Sequence, residues 1–120
     1  MAHILIVDDT ATEATLMAGV VHKLGHSSEV ATDGEACLSL ARSKKPSLIL
    51  LDVVMPKMDG FNTCRKLKKD SETSAIPIVM VTSKDQETDK FWAQRQGADG
   101  YVVKPFAPSE LTAAIQKFVA

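Results

Sequence analysis

Four short apolar runs, His3 to Val7, Leu48 to Leu51, Ile78 to Val81 and Tyr101 to Val103, carry no polar alternation. A strand with one wet face alternates, so unbroken runs of this length fit strands covered on both faces, the condition of a parallel sheet. A weaker run, Ser28 to Ala31, reads as an edge strand. Helical patterns lie between the runs, clearest in Leu16, Met17, Val20, Val21 and Leu24, and in Leu111, Ala114, Ile115, Phe118 and Val119, which keep the i, i+3, i+4 register. Thr10 with Glu13 fits a capping box for the first helix, Asp33 a cap on the second, and Pro108 the opening turn of the last. Five βα units in series imply a mainly parallel α/β sheet with helices on both faces, joined by right-handed crossovers. No internal repeat or low-complexity linker interrupts them.

The chain has 120 residues, 45% of them hydrophobic, which matches one domain with one core, residues 1–120. Charged residues make up 24% and the net charge is −1, so there is no electrostatic footprint for a phosphate backbone and direct nucleic-acid binding is not expected. Cys37 and Cys64 sit in apolar helical patterns, with no CxxC pair and no histidine spacing suited to zinc, and read as reduced core thiols. No stretch approaches the roughly 18 apolar residues of a membrane span, and MAHILIVDD lacks the basic-then-apolar order of a signal peptide. The expected setting is cytoplasmic, without membrane insertion. Met1 and a last helix ending near Ala120 are what a complete protein would present.

Each buried run ends in polar residues: Asp8 and Asp9 after the first, Asp52 after the third by position, Thr82 and Ser83 after the fourth, Lys104 after the fifth. In a parallel sheet those ends share one edge, and ligand sites of open α/β sheets lie there, where the strand order reverses. Three carboxylates in one crevice repel by roughly 3 kcal/mol per pair at about 5 Å and an effective dielectric near 20. Lys104 offsets one charge. A hard divalent cation offsets two, and the small size and retained waters of Mg²⁺ suit an open cluster of a few carboxylates. A carboxylate held there can attack a phosphoryl group while the metal and Lys104 neutralise its oxygens. Asp52 alone is central.

The segments ILIVDD, LILLDVVMPKMDG, IPIVMVTSKD and GADGYVVKPF closely resemble response-regulator receiver domains, over essentially the whole chain. The resemblance implies a flavodoxin-like doubly wound sheet of five parallel strands in the order 2-1-3-4-5 with five helices. It also implies that Asp52 is the phosphoacceptor, that Asp9, Asp52 and the backbone carbonyl of Val54 ligate Mg²⁺, and that Asp8 helps to hold a water. Thr82 and Lys104 would bind the phosphoryl oxygens, and the Lys104–Pro105 bond would be cis. The implied donor is a phosphohistidine on a sensor histidine kinase. The receiver would catalyse its own phosphorylation and the later hydrolysis, as a switch rather than an enzyme. Thr82 would move toward the phosphoryl group, Tyr101 would turn inward, and the surface of the fourth helix, fifth strand and fifth helix would change.

More narrowly, ETSAIP with KDQETDKFWAQRQGADGY resembles stand-alone receivers of chemosensory systems that control type IV pili, in twitching motility or phototaxis, which implies a downstream motility protein as partner. Competition for phosphoryl groups, a phosphate sink, is the alternative route of signalling. Adjacent Phe91 and Trp92 lie about 100° apart on a helical wheel; comparison with family helices puts Phe91 on the buried side and leaves Trp92 as a partner anchor near Arg95 and Gln96. Val54, Lys57 and Lys84 depart from the family's commonest residues and bear on phosphoryl lifetime. An aspartate-nucleophile phosphatase would want DxDx[TV] where Asp8-Asp9-Thr10 stands, and a flavodoxin-type flavin carrier would want a Ser/Thr/Gly-rich phosphate loop there. No GxxxxGK[ST] nucleotide loop occurs. A non-phosphorylated scaffold is disfavoured by the intact set Asp8, Asp9, Asp52, Thr82 and Lys104.

Overall fold

The computed structural model describes residues 1–119. The apolar runs form β1 (His3–Val7), β3 (Leu48–Leu51), β4 (Ile78–Thr82) and β5 (Gly100–Val103), and the weaker one forms β2 (Ser27–Ala31). All pair in parallel, in the order β2-β1-β3-β4-β5, so β2 is an edge as its polarity implied. Between them run α1 (Ala11–Lys23), α2 (Gly34–Lys44), α3 (Gly60–Lys69) and α4 (Glu87–Arg95), and α5 (Pro108–Gln116) closes the series.

The period-2 geometry of a strand splits the buried runs between two cores. Leu5, Val7, Ile49, Leu51, Ile78 and Met80 pack with Cys37, Ala41, Cys64, Leu67 and Ala93 from α2, α3 and α4. Ile4, Ile6, Leu48, Leu50, Val79 and Val81 pack with Met17, Val21, Leu111 and Ile115 from α1 and α5. A side chain of either parity finds a helix above it, which explains the missing alternation. Both cysteines are free and buried; burial pushes the Cys37 thiol up to about 12 and the Cys64 thiol up to about 11.

Local signals fare unevenly. Asp33 accepts a bond from Ala36 N–H at 2.8 Å, and Pro108 opens α5. The Lys104–Pro105 bond is cis. Three expectations are corrected. Thr10 makes no side-chain cap and no capping box forms with Glu13, whose carboxylate instead reaches Lys104 Nζ at 2.9 Å. The buried stripe of α1 is Ala14, Met17 and Val21, which turns Leu16, one position from Met17, out to solvent. Phe91 is not a core residue: it is 55% exposed and Trp92 53%, because Ala93 is the buried position of α4 and its small side chain brings that helix close to the sheet. Among the described residues no helix is long and apolar enough to cross a membrane.

Candidate functional site

The strand order reverses at β1, whose chain leaves toward β2 on one side while β3 lies on the other. Backbone bonds carry the ladder one residue past the strands: Asp8 N–H donates to Ala31 O and Asp52 N–H to Val7 O, each at 3.0 Å, and Lys104 N–H to Thr82 O at 2.8 Å. The ladder therefore fixes where Asp8, Asp52 and Lys104 leave the sheet, and all three leave at its C-terminal edge. Asp8, Asp9 and Asp52 each present a carboxylate oxygen within 4.8 Å of the others.

Asp52 is 6% exposed and both its oxygens are engaged. Oδ1 accepts from Val54 N–H at 3.1 Å and Oδ2 from Lys104 Nζ at 3.0 Å. Asp8, 1% exposed, accepts from Thr10 N–H at 2.9 Å on Oδ1 and from Lys104 Nζ at 2.6 Å on Oδ2. Asp9 is exposed and completes the acidic mouth. Burial works against the charge on Lys104, but its bonds to Asp8, Glu13 and Asp52 outweigh that, and the ammonium is held above the ordinary lysine range. One ammonium facing Asp8, Asp9, Asp52 and Glu13 leaves the cluster net negative, with repulsion of about 3 kcal/mol for a carboxylate pair near 5 Å at an effective dielectric of 20. Hard oxygen donors in a half-open cluster with uncompensated charge fit a small divalent cation.

Thr82, fully buried as the last residue of β4, shares the edge; its Oγ1 accepts from Lys84 N–H at 3.4 Å. Tyr101 lies along β5 with its hydroxyl donating to Lys84 O at 2.7 Å, and partial burial, with Asp89, Asp52 and Asp85 adding to it, pushes the phenol up to about 12. Val54 follows Asp52 in the loop, with its side chain half exposed. Lys57, in the same loop, adopts φ 67°, a left-handed conformation that explains why a glycine would be at ease there. Glu13 was missed as a site residue, because Thr-x-x-Glu before an apolar run reads as a helix cap and nothing local announces Lys104 as its partner.

Residues 4–116 match the family described as response regulator receiver domain. Protein PilH of Pseudomonas aeruginosa is 48% identical over 120 residues, covering 100% of this chain and 99% of that protein. Other relatives are longer, and the chain spans 43% to 47% of their length. Among solved structures, the Vibrio cholerae chemotaxis protein CheY4 superposes with a TM-score of 0.92 at 31% identity over 99% of both chains. The receiver domain of the Pseudomonas aeruginosa sensor histidine kinase PA1611, with magnesium coordinated in its active-site cleft, gives 0.90 at 25% identity over 98% of this chain and 96% of that one.

Proposed function

The chain belongs to the response regulator receiver domain family, and we propose that residues 1–120 act as one receiver that takes a phosphoryl group on Asp52 from a phosphohistidine of a sensor histidine kinase. Receivers are signalling proteins, not metabolic catalysts. The observation that carries the reading is Asp52 itself: a buried carboxylate, 3.0 Å from Lys104 Nζ, in a cluster with Asp8 and Asp9 that spans 4.8 Å.

In the transfer a carboxylate oxygen of Asp52 attacks phosphorus, the P–N bond to the donor imidazole breaks, and the nitrogen keeps the electron pair. Hydrolysis returns the carboxylate when water attacks the same phosphorus. Asp9, Asp52 and the Val54 carbonyl would hold Mg²⁺, with Asp8 steadying a bound water, and the ion would neutralise charge on the phosphoryl oxygens. Lys104 supplies a second positive charge to those oxygens, and the Thr82 hydroxyl a hydrogen bond.

Lys84 supports a switch that links Thr82 to Tyr101, because its N–H binds the Thr82 hydroxyl and its carbonyl the Tyr101 hydroxyl. A shift of Thr82 toward a phosphoryl group would pull on the backbone of Lys84, whose carbonyl holds Tyr101. The surface of α4, β5 and α5, where Phe91 and Trp92 are exposed, would then signal to a downstream protein of pilus-based motility, in the cytoplasm. The similarity to PilH supports that setting.

Incubation with acetyl phosphate and Mg²⁺, read by intact mass, is expected to add one phosphoryl group to the parent and none to Asp52→Asn, whose amide is no nucleophile. Stoichiometric labelling of the variant, or labelling of the parent that is indifferent to Mg²⁺, would sink the reading.

A further inference from the structure

We propose that Glu13 is a positioning residue that holds the Lys104 ammonium in the unphosphorylated protein and releases it to the incoming phosphoryl group, so that this side chain sets how readily Asp52 is phosphorylated. The inference rests on the reading of Asp52 as phosphoacceptor and adds to it a residue outside the acidic triad.

Lysine has three N–H donors and no more. Around Lys104 Nζ stand three carboxylates, Asp8 at 2.6 Å, Glu13 at 2.9 Å and Asp52 at 3.0 Å. Nζ donates hydrogen bonds to Asp8 and Asp52, and the Glu13 carboxylate closes on it as an ion pair at 2.9 Å, so a phosphoryl oxygen arriving beside Asp52 finds the ammonium enclosed by carboxylates. One partner must yield. The Asp8 and Asp52 side chains are 0% and 8% exposed; a buried carboxylate that loses its counter-charge meets the full desolvation penalty, for Asp8 throughout and for Asp52 until the O–P bond forms and its charge passes to the phosphoryl group. Glu13, at 40%, has water at hand to replace the bond. It sits in the first turn of α1 on a side chain longer than aspartate's, so it can swing away without moving the backbone. Glu13 is thus the exchangeable ligand of Lys104. Its charge also repels an anionic phosphodonor at the mouth of the site.

Glu13→Gln and Glu13→Asp separate these effects. Glutamine keeps the length without the charge; aspartate keeps the charge but falls short by about one C–C bond, roughly 1.5 Å. At saturating Mg²⁺, the second-order rate of Asp52 phosphorylation by acetyl phosphate, read by intact mass, should rise about fivefold in Glu13→Gln, the factor a partly exposed ion pair can carry. Mg²⁺ affinity, measured by calorimetry, should fall in the same variant, because a negative charge is gone and Lys104 is freer to neutralise Asp8 and Asp52. Glu13→Asp should resemble Glu13→Gln in rate and stay nearer the parent in Mg²⁺ affinity. A role confined to helix stability would instead lower urea resistance and move rate and affinity down together. Phosphorylation of Glu13→Gln no faster than the parent overturns the proposal. So does Glu13→Asp at the parent rate, which would assign the effect to charge at the mouth rather than to the hold on Lys104. A parent that takes no phosphoryl group at Asp52 overturns the reading of the site, and this inference with it.

Discussion

Behind Asp52 the backbone leaves no room for a side chain at residue 60. A methyl group on Gly60 would collide with the Asp52 carbonyl oxygen and stand 2.7 Å from Val53 Cα and 2.9 Å from Asp52 C. Gly60 N–H also donates to Val53 O at 2.9 Å, so the first turn of α3 is bonded to the strand end it crowds. The obstacle is main chain, which cannot rotate out of the way as a side chain could. Gly60→Ala should therefore cost about 2 to 3 kcal/mol, in the upper part of the range for overpacking, and should slow phosphorylation beyond what the stability loss explains, because relief can come only by moving the peptide that carries Asp52. Urea melts and acetyl phosphate labelling check both parts; a stable variant labelled at the parent rate would show that the loop gives way more easily than this packing allows. The glycine was visible in the sequence only as part of a motif. Its steric reason needed the approach of α3 to β3.

At the scale of elements, α4 is where the sequence reading and the fold part company. Of its nine residues, Glu87–Arg95, only Ala93 is buried, while Phe91 carries the Arg95 guanidinium 5.7 Å from its ring centre and Trp92 stands beside it in solvent. Phe91→Ala should then cost less than about 1 kcal/mol, the value of an exposed cation–π contact, not the 3 to 5 kcal/mol of a core aromatic. Ala93→Leu should cost more, about 1 to 3 kcal/mol, by overpacking against the sheet. Chemical denaturation of the two variants decides between these placements, and a larger loss from Phe91→Ala would return that ring to the core. Strands were legible because burial on both faces removes alternation, a signal local to each run. The site was legible for a related reason: Asp8, Asp9, Asp52, Thr82 and Lys104 are strand-end residues, and parallel strands bring their ends to one edge whatever the sequence distance. A short helix with one small buried residue has no such signature. Two adjacent aromatics suggest a core that the helix does not have, and the same limit hid Glu13, whose partner lies on a different element.

For the molecule as a whole, the C-terminal edge of the sheet holds more negative charge than one lysine can balance, so the metal-free fold carries repulsion that a cation would relieve. Binding to the folded state alone adds about 2.7 kcal/mol of stability at a Mg²⁺ concentration one hundred times the dissociation constant, which for a domain of this size raises the melting temperature by roughly 10 °C. Asp9 is the residue on which to test this. Asp8 is buried and bonded to Thr10 N–H and Lys104, so its removal would break two structural bonds along with the charge; Asp9 is exposed, and the described structure asks nothing of it but its charge. Asp9→Ala should leave the metal-free melting temperature unchanged or higher, because one repulsive charge is gone, and should lose most of the rise on adding Mg²⁺, because the same charge is missing from the cation's ligands. Calorimetric scans of both proteins over a Mg²⁺ series make the comparison. A parent that gains nothing from Mg²⁺ would remove the cation from this edge, and an Asp9→Ala variant that gains as much as the parent would remove Asp9 from its ligands.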